Sequence, residues 1–404
     1  MRASSYPLVD AVEAHDTVLR LTPVLAPVEE HVGACAGRVL AADLVAPRDL
    51  PPWPASAVDG YAVRSADAGD RLAVVGESAA GHPFEGSLGK GMAARILTGG
   101  VLPEGADAVV MVEDVSIDGD RVSIPGGVAP GANFHRPGSD IRKGETALRA
   151  GRRLGPAELG LAAALGFATL LVHPRPRVAL MSTGDELVEA GEEPGPGQIV
   201  DSNRFALLAA LLEAGAEVKL LGIAPDEPER LRHLVVGALG AADVLVTSGG
   251  VSVGTHDLVK PLLESLGEVH IGRVKLRPGK PFTFATLPGG KLAFGLPGFP
   301  VSSLVTFEVF VRPALRRLQG YTDLERPRLP VRLGHDARAA GDRTEYQRVT
   351  LSREGAELVA TSTGSQSSSR LLSLAGAHAL VRIPPGGEGI PAGTVVDAVI
   401  LELP

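Results

Sequence analysis

The loop sequence TSGGVSVGTHD, at residues 247–257, has the composition of an anion-binding loop. It follows a short apolar segment typical of a strand, and a helical pattern comes after it. The adjacent Gly249 and Gly250 allow backbone N–H groups to turn towards an anion, and a helix N-terminus adds a favourable dipole. We therefore predict a phosphate cradle around Ser248, Gly249, Gly250 and Ser252. The alternative is a tight strand-to-helix turn in which the glycines only satisfy backbone geometry.

Acidic residues follow three of the predicted strands. Glu186 lies in STGDE, Asp226 in APDE and Asp257 at the end of the glycine-rich loop. If the strands are parallel, their carboxyl ends share one edge of a sheet, and the three carboxylates lie at that edge. Acids beside a phosphate cradle commonly hold Mg²⁺, which prefers oxygen ligands. Each acid alone is more often a helix cap or a turn residue, so the prediction depends on their convergence.

A dense cationic segment contrasts with the acidic character of the chain. The sequence KLRPGKP, at residues 275–281, contains Arg277 and Lys280, and Arg273 precedes it. Positive charge near an anion cradle indicates a polyanionic ligand, whereas a solvated charged hairpin is the alternative. Further along, GLPGFPVS places Pro297 and Pro300 in a rigid turn ahead of a helix, which is suited to fix a loop at the site.

The glycine-rich loop also matches the spacing of a hydrolase nucleophile. Gly250, Ser252 and Gly254 fit G-x-S-x-G after a strand. A hydrolase triad would also need a downstream histidine, and the chain has His270, His335 and His378. None of them lies in a loop motif with an acidic partner, which disfavours hydrolysis. The sequence has no H-E-x-x-H motif and no P-loop, so we predict neither an imidazole metal site nor a P-loop NTPase.

Alternating strands and helices are predicted to position these loops. From about residue 176 the strands RVALMS, VKLLGIA and DVLVTSG alternate with the helices FALLAALLEAG, PERLRHLVVGALG and DLVKPLLESLG. This alternation is typical of parallel crossover units in a three-layer α/β domain. Ligands of such folds bind beyond the carboxyl ends of the strands, where the polar loops fall.

Other parts of the chain have a different pattern. Short β-branched runs such as RLAVVGE and ADAVVMVEDV, separated by Gly, Pro and Asp, predict a small β-rich domain. The apolar run from Leu159 to Val172 is too short to cross a bilayer, and we interpret it as a buried helix. Short strands after about residue 326 predict a small C-terminal β barrel or sandwich.

Composition narrows the classes of function. With 404 residues, 45% hydrophobic and 21% charged, the chain has the profile of a globular protein of several domains. Its net charge of −8 offers no basic field for a nucleic-acid backbone. Cys35 is the only cysteine, which argues against disulfides and iron–sulfur clusters and favours the cytoplasm. Acids at positions 10, 13 and 16 interrupt any apolar secretory stretch, so we expect neither export nor a membrane partner.

Taken together, seven motifs resemble those of one enzyme family. In chain order they are PPWPASAVDGYAV, RILTGGVLPEGADAVV, STGDEL, DSN, TSGGVSVGTHD, RPGKP and GLPGFPVS, and they cover nearly the whole sequence. Their order and spacing are similar to those of molybdopterin molybdenumtransferases, the family of the bacterial MoeA proteins and of the E domain of gephyrin.

The resemblance implies the last step of molybdenum cofactor biosynthesis. Molybdate would enter the dithiolene of adenylylated molybdopterin, the pyrophosphate link would be cleaved with Mg²⁺, and AMP would leave. The functional protein would be an elongated homodimer of four-domain subunits, with a cleft shared between the α/β domain of one subunit and the β domain of the other. A molybdopterin adenylyltransferase would be its partner.

The resemblance also implies a multidomain α/β plus β fold with particular ranges. Residues 1–50 and 137–174 would form an elongated linking domain, with a small β domain of residues 51–136 inserted into it. Residues 175–325 would form the molybdopterin-binding type of three-layer α/β domain with a parallel sheet. Residues 326–404 would form a C-terminal β barrel-like domain.

Matching the family motifs residue by residue implies individual roles. Asp59, Thr98, Glu186, Asp226 and Asp257 would be catalytic, and Glu186 and Asp257 would also bind the metal. The remaining matched residues would bind the substrate and its phosphates: Asp140, Ser248, Gly249, Gly250, Ser252, Arg273, Arg277, Lys280, Pro297, Pro300 and Ser368.

Two departures from the family pattern bear on the ligand. Phe299 stands where the family commonly has Asn in LPGNPVS, and Arg273 and Arg277 stand where lysines are frequent. Arginine keeps the charge but changes the geometry and bulk of the contact. Three alternatives therefore stay open: a tungstate-preferring transferase, a non-catalytic dimeric scaffold of the same fold, and adenylylation of molybdopterin by the α/β domain.

Overall fold

The computed structural model describes residues 6–224, 227–250 and 258–403, and the chain divides into two compact units. The larger unit consists of residues 1–28, 37–41 and 171–404. The smaller unit consists of residues 29–36 and 42–170. The finer domain ranges expected from the sequence stay predictions.

The helices are short, and several begin at a proline, whose missing N–H is not needed in the first helical turn. The first helix begins after Asp10, whose carboxylate accepts a hydrogen bond of 2.8 Å from the Val12 N–H. The described helices are Ala11–Leu21, Pro156–Ala164, Asn203–Glu213, Pro228–Leu239, Val259–Leu266, Pro300–Thr306, Arg312–Leu318 and Leu372–Ala375, with a π-helical segment at Phe307–Val311 and 3₁₀ turns at Val32–Ala34, Ser65–Asp67 and Val112–Asp114.

A mixed sheet, named here the central sheet, organises the larger unit. Among the described residues its six strands lie in the order Glu217–Ala224, Arg177–Thr183, Val244–Ser248, Lys291–Leu296, Thr283–Leu287 and Glu268–Ile271. The first four strands are parallel, which confirms the predicted parallel sheet. The last two are antiparallel to their neighbours, because the turn at Pro288–Gly290 folds the chain straight back on itself. Gly289 and Gly290 both have positive φ, as a tight hairpin turn requires.

Helices cover both faces of the central sheet. In the strand Arg177–Thr183, the even-numbered apolar residues belong to a core formed with the helix Asn203–Glu213. The odd-numbered ones belong to a second core formed with the helix Pro228–Leu239. Successive side chains of a strand point to opposite faces, so the alternation fills both cores. The predicted three-layer arrangement is confirmed.

The described C-terminal strands close into a barrel of five strands. Thr344–Glu354 pairs on one side with Glu357–Ser362 and on the other with Ala379–Ile383, and this double pairing closes the ring. The remaining barrel strands are Arg328–Leu333 and Val395–Ile400, and the short strand Leu276–Arg277 joins the start of Thr344–Glu354 in parallel. The expected C-terminal barrel is confirmed.

One helical stretch connects the central sheet to the barrel strands. It begins as the α-helix Pro300–Thr306, passes through the π-helical segment Phe307–Val311 and ends as the α-helix Arg312–Leu318. Phe310, within the π-helical segment, is fully buried and stacks on Phe282 with ring centroids 4.4 Å apart.

The smaller unit contains a second sheet of six described strands. Their order is Ala108–Met111, Gly60–Val63, Met92–Ile96, Arg71–Ser78, Arg121–Ser123 and Ser116–Asp118. This confirms the expected β-rich domain. Short strands complete the description of both units: Val28–His31, Leu44–Val45, Ala55–Ser56, Phe134–His135, Thr146–Leu148, Thr169–Val172, Leu187–Val188 and Ile199–Val200.

The apolar run from Leu159 to Val172 is not a single buried helix, so that interpretation was wrong. The helix ends at Ala164, and the strand Thr169–Val172 follows. Gly166 has a φ of +92°, a conformation that suits glycine and ends the helix. No helix in the described part of the chain is long and apolar enough to span a membrane.

Candidate active site

The predicted cradle begins where the strand Val244–Ser248 ends, at the carboxyl edge of the central sheet. Gly249 and Gly250 follow with φ of +85° and +67°. A Cβ on Gly249 would lie 2.5 Å from the Thr183 carbonyl oxygen, and one on Gly250 would lie 2.7 Å from the Thr183 hydroxyl. The Gly249 N–H donates to the Leu296 carbonyl at 3.0 Å, so it extends the sheet and is not available to an anion. Only glycine fits these two positions. We use the name cradle for Ser248–Gly250.

Three hydroxyl groups beside the cradle are buried without a hydrogen-bond partner among the described residues. They belong to Ser182 and Thr183, at the end of the strand Arg177–Thr183, and to Thr247 in the neighbouring strand. All three residues are at most 5% exposed. A buried hydroxyl without a partner costs about 1–3 kcal/mol, and the described residues leave all three hydroxyls at this edge unpaired.

Asn203 connects the cradle to the proline turn. Its Nδ2 donates to the Ser248 Oγ at 2.8 Å and to the Gly298 carbonyl at 2.6 Å. Gly298 is so near the cradle that a Cβ built on it would lie 3.9 Å from the Gly249 Cα. Asn203 belongs to the DSN motif, but the sequence reasoning assigned it no role. It is a positioning residue of the site.

The turn Pro297–Pro300 lies beside the cradle, as predicted. Pro297 is buried, whereas the side chain of Phe299 is 60% exposed. Phe299 occupies the N-cap of the helix Pro300–Thr306 and provides no side-chain hydrogen bond to it. The Val301 N–H instead donates to the Ser368 carbonyl at 3.1 Å, which brings the half-buried Ser368 to this turn.

Of the predicted acids at this edge, only Glu186 falls in the described residues. It is exposed and folds back over Gly184, whose ideal Cβ would lie 2.5 Å from the Glu186 Oε2. Asp226, Ser252 and Asp257 lie outside the described residues. Groups of three or more metal-binding side chains are absent from the described ranges.

The basic motif lies at the junction of the central sheet and the barrel strands. Val274 N–H donates to the Lys280 carbonyl at 3.0 Å, which closes the loop that carries the predicted cations. Arg277 and Lys280 are exposed and Arg273 is half-buried. The Arg277 Nε lies 3.6 Å from the buried Glu345 carboxylate, so part of its charge is already neutralised.

Arg348 was missed in the sequence analysis and is the largest fully buried side chain described. Its Nη2 donates to the Ser367 carbonyl at 3.1 Å, and its backbone N–H donates to the Gln366 side chain at 2.9 Å. Arg348 therefore holds the loop that carries Ser368.

The charge of Arg348 is only partly compensated. Burial is the main cause that lowers its pKa to about 10; Glu345 opposes this shift, and the nearby Arg277 adds to it. Its Nη1 has no hydrogen-bond partner among the described residues. A buried guanidinium with a spare donor suits an anion. The only sequence signal was the polar run TEYQR within a strand, which does not reveal burial.

Asp59 and Thr98 form a compact pair in the smaller unit, named here the acidic turn. Asp59 Oδ1 accepts hydrogen bonds from the Thr98 N–H at 2.7 Å and from the Thr98 Oγ1 at 2.8 Å. These bonds, the backbone one first, hold the pKa of the Asp59 carboxyl below its usual value, and burial opposes them only weakly. Asp59 is therefore an exposed, fixed carboxylate at neutral pH. The structure brings these two predicted residues together.

Asp140 belongs to a neighbouring loop of the same unit. The Asp140 N–H donates to the Leu50 carbonyl at 3.0 Å, and the Gly138 N–H donates to the Pro51 carbonyl at 3.0 Å. The Asp140 side chain is exposed. The predicted residues therefore fall into two groups. Asp59, Thr98 and Asp140 lie in the smaller unit, and the other described ones lie in the larger unit.

Family models match most of the chain in three segments. Residues 9–166 match the MoeA N-terminal region (domain I and II), residues 179–317 a probable molybdopterin binding domain, and residues 330–401 the MoeA C-terminal region (domain IV).

Individual relatives agree with these matches. A molybdopterin molybdenumtransferase of Nostoc is 40% identical over 92% of this chain and 87% of its own length. Gephyrin of Dictyostelium discoideum is 35% identical over 99% of this chain, which spans 63% of that protein. A crystal structure of the molybdopterin biosynthesis MoeA protein from Pyrococcus horikoshii is 35% identical, with a TM-score of 0.82, and the match covers 98% of this chain and all of the other.

Proposed function

Because this chain belongs to the MoeA family of molybdopterin molybdenumtransferases, and is thus an enzyme of molybdenum cofactor biosynthesis, we propose that it performs the final insertion of the metal. Its substrates are molybdate and adenylylated molybdopterin. Molybdate enters the dithiolene, water adds across the pyrophosphate link to the adenylyl group, and AMP is released.

The observation that carries this proposal is the unsatisfied edge at the cradle. The hydroxyls of Ser182, Thr183 and Thr247 are buried without a partner in the described ranges, next to two glycines that exclude side chains. Hydroxyl donors and close backbone approach are what a phosphate or another oxyanion needs. The pyrophosphate of the substrate satisfies both requirements, and we assign its binding to this edge.

The cations are assigned to the anionic substrates. The loop beside the barrel strands carries three cations, Arg273, Arg277 and Lys280. Arg348 adds a buried positive charge behind Ser368. Arginine and lysine side chains bind phosphate and oxyanions through charge-assisted hydrogen bonds. In this proposal they hold molybdate while the glycine edge holds the pyrophosphate.

Mg²⁺ is proposed as the metal, with Glu186 and Asp257 as its protein ligands. The exposed Glu186 carboxylate fits this use because Mg²⁺ commonly takes one or two carboxylates and completes its shell with waters and substrate phosphates. A dense acidic cluster is therefore not required. When bound, Mg²⁺ supplies neutralisation of the phosphate oxygens at the bond that breaks. Asp226 is assigned to substrate positioning at the same edge.

The smaller unit is proposed to contribute the acidic turn and Asp140. Thr98 holds Asp59 in one orientation and keeps it ionised, so its carboxylate can orient a substrate N–H or a water without titrating near neutral pH. Asp140 is assigned to substrate binding in the same loop cluster.

The assembly is proposed to be a homodimer in which the α/β domain of one subunit and the β domain of the other share each cleft. A molybdopterin adenylyltransferase would supply the adenylylated substrate, which this enzyme does not make in our proposal. The single cysteine, Cys35, is buried and suits a reducing cytoplasm.

The test is AMP release from adenylylated molybdopterin by the purified protein, measured together with formation of active cofactor. We expect AMP release that requires both molybdate and Mg²⁺ and that stops when the metal is chelated. If tungstate supports AMP release as well as molybdate does, the proposed substrate is no longer molybdate alone but another oxyanion as well. A folded dimer that releases no AMP under any of these conditions would contradict the proposal and favour the scaffold role.

A further inference from the structure

Trp53 is an exposed aromatic side chain on a rigid segment of the smaller unit. It is the only tryptophan in the sequence, and 64% of its side chain is exposed. Tryptophan carries a large apolar ring, and a ring left this exposed loses the favourable burial that it could gain from a partner. The ring is therefore available for contact with a ligand.

Both flanks of Trp53 are fixed by loops that carry predicted site residues. On the N-terminal side, the Leu50 carbonyl accepts a hydrogen bond from the Asp140 N–H at 3.0 Å. On the C-terminal side, the Pro54 carbonyl accepts one of 2.8 Å from the Leu102 N–H, and the Ser56 N–H donates to the Gly100 carbonyl at 2.9 Å. Trp53 thus lies on a short span between the Asp140 loop and the loop that begins at Thr98.

Prolines make this span stiff. Pro51, Pro52 and Pro54 restrict the backbone on both sides of Trp53, since each pyrrolidine ring fixes φ. A ring presented by a preorganised backbone loses little conformational freedom when it binds a ligand. Fixed aromatic surface together with a few polar groups is the usual composition of a small-molecule site, and the loops that hold this span also carry Thr98 and Asp140.

We propose that Trp53 is a substrate-binding residue whose indole stacks on a fused, planar nitrogen heterocycle of the substrate. This inference depends on the proposed function, because adenylylated molybdopterin has two such rings, the pterin and the adenine. Stacking on an indole recognises the shared flat ring surface, and we assign the exposed carboxylates of Asp59 and Asp140, in the same unit, to accept from the ring N–H and amino groups.

The wild-type protein contains its own reporter for this contact. Because Trp53 is the only tryptophan, its fluorescence reports on this position alone. The protein is titrated with AMP and, separately, with a soluble pterin. The probe whose ring stacks on the indole should quench the tryptophan emission at saturation. Unchanged tryptophan emission with both probes and with adenylylated molybdopterin would overturn the proposal.

Variants supply an independent measurement. Binding of adenylylated molybdopterin without molybdate, followed by calorimetry, should weaken about 10- to 100-fold in Trp53→Ala and change little in Trp53→Phe, which keeps a flat ring. The control is Ile117→Ala. Ile117 is a similarly exposed apolar residue, and its strand Ser116–Asp118 lies at one edge of the six-stranded sheet of the smaller unit. Equal binding by Trp53→Ala and Ile117→Ala would overturn the proposal.

These measurements distinguish a failure of the stacking proposal from a failure of the proposed function. If the wild-type protein releases AMP with molybdate but Trp53→Ala binds substrate normally, the function stands and the stacking proposal fails. If the wild-type protein releases no AMP, yet a pterin quenches Trp53, the ring site stands without the transferase. If sedimentation shows that Trp53→Ala dissociates a dimer while substrate leaves the wild-type emission unchanged, Trp53 is an interface residue and the stacking proposal is wrong.

Discussion

The acidic turn and the cradle satisfy their polar groups in opposite ways. In the acidic turn, Asp59 accepts two hydrogen bonds from Thr98, so the chain itself completes the arrangement. At the cradle, the hydroxyls of Ser182, Thr183 and Thr247 are buried, and the described residues offer them no partner. The first region is organised by the chain itself, whereas in our proposal the second gains its partners from the ligand.

This difference separates two contributions to the same reaction. A carboxylate held by fixed donors presents its charge without reorganisation, as preorganised sites do. Buried donors that lack partners weaken the free protein, and a ligand that pairs with them recovers this loss as binding energy. Substitutions should therefore act mainly on turnover in the acidic turn, and mainly on substrate binding and ligand-linked stability at the cradle.

The largest effect is expected for Gly249→Ala. The new Cβ would lie 2.5 Å from the Thr183 carbonyl oxygen, so the backbone of the cradle must shift, and we expect at least about a 100-fold loss of kcat/KM. The matched control is Gly290→Ala, at φ +72° in an open hairpin turn with nothing within 4 Å. It should cost about 1–2 kcal/mol of stability and leave activity intact. Equal activities of the two variants would remove the cradle from the site.

Asp59→Asn should be the next largest effect. Asparagine keeps an oxygen acceptor for Thr98 but removes the charge, so we expect about a 100-fold fall in AMP release with the same unfolding transition. Asp118→Asn, an exposed acid at the far edge of the same sheet, serves as the control and should retain full activity. If Asp59→Asn turns over normally, the charge of the acidic turn has no catalytic use.

The pKa of Asp59 offers a finer test of the same turn. Thr98→Val removes the hydroxyl but keeps the backbone N–H, so the pKa should rise and yet stay below the ordinary aspartate value, because the backbone bond is the larger cause. A depressed carboxyl pKa stabilises the fold above its unfolded-state value, and this contribution is lost as the pH falls through the folded-state value. Carboxyl NMR titration would check the order wild type, Thr98→Val, free aspartate.

Thr247→Val should reveal the unsatisfied hydroxyl of the other region. Valine has nearly the same shape without the unpaired group, so the ligand-free protein should become about 1 kcal/mol more stable. Stabilisation by saturating adenylylated molybdopterin should fall, because the ligand loses a partner. Thermal unfolding with and without substrate measures both. If Thr247→Val destabilises the free protein, the hydroxyl already has a partner and the contrast between the regions disappears.

The smallest effect is expected for Phe299→Asn. Phe299 caps the helix Pro300–Thr306 without a side-chain hydrogen bond, and asparagine is a strong N-cap, so stability should increase by about 0.5–1 kcal/mol. Phe299→Ala removes the ring without adding a cap and should give no such gain. Equal melting temperatures for Phe299→Asn and Phe299→Ala would show that the helix N-terminus is already satisfied.

Local patterns were enough to predict much of the fold. Strands such as RVALMS and DVLVTSG alternate with helices, and the four parallel strands with two covering layers follow from that alternation. The run from Leu159 to Val172 was misread because an apolar stretch alone does not distinguish a helix from a helix followed by a strand. The hairpin at Gly289–Gly290 went unassigned, although paired glycines between apolar runs are a turn signal.

The site was predictable to the extent that its chemistry is local. Gly249 and Gly250 follow from their sequence context, and the family motifs singled out Asp59 and Thr98 without predicting the hydrogen bonds between them. Arg348 could not be predicted, because nothing near it in sequence shows that the distant segment carrying Ser367 and Ser373 bonds to it and that its side chain is buried. The use of the Gly249 N–H by Leu296 likewise depends on strand register and not on residue type.

The π-helical segment Phe307–Val311 has a consequence for the alignment of the two α-helices that it joins. A π-turn holds one more residue than an α-turn, and one residue corresponds to about 100° of helical rotation. The segment therefore rotates the helix Arg312–Leu318, which packs in the core, relative to the helix Pro300–Thr306, which begins beside the cradle. Deleting a single residue there would turn the cradle end of the helix relative to its buried end, with every side chain of both parts unchanged.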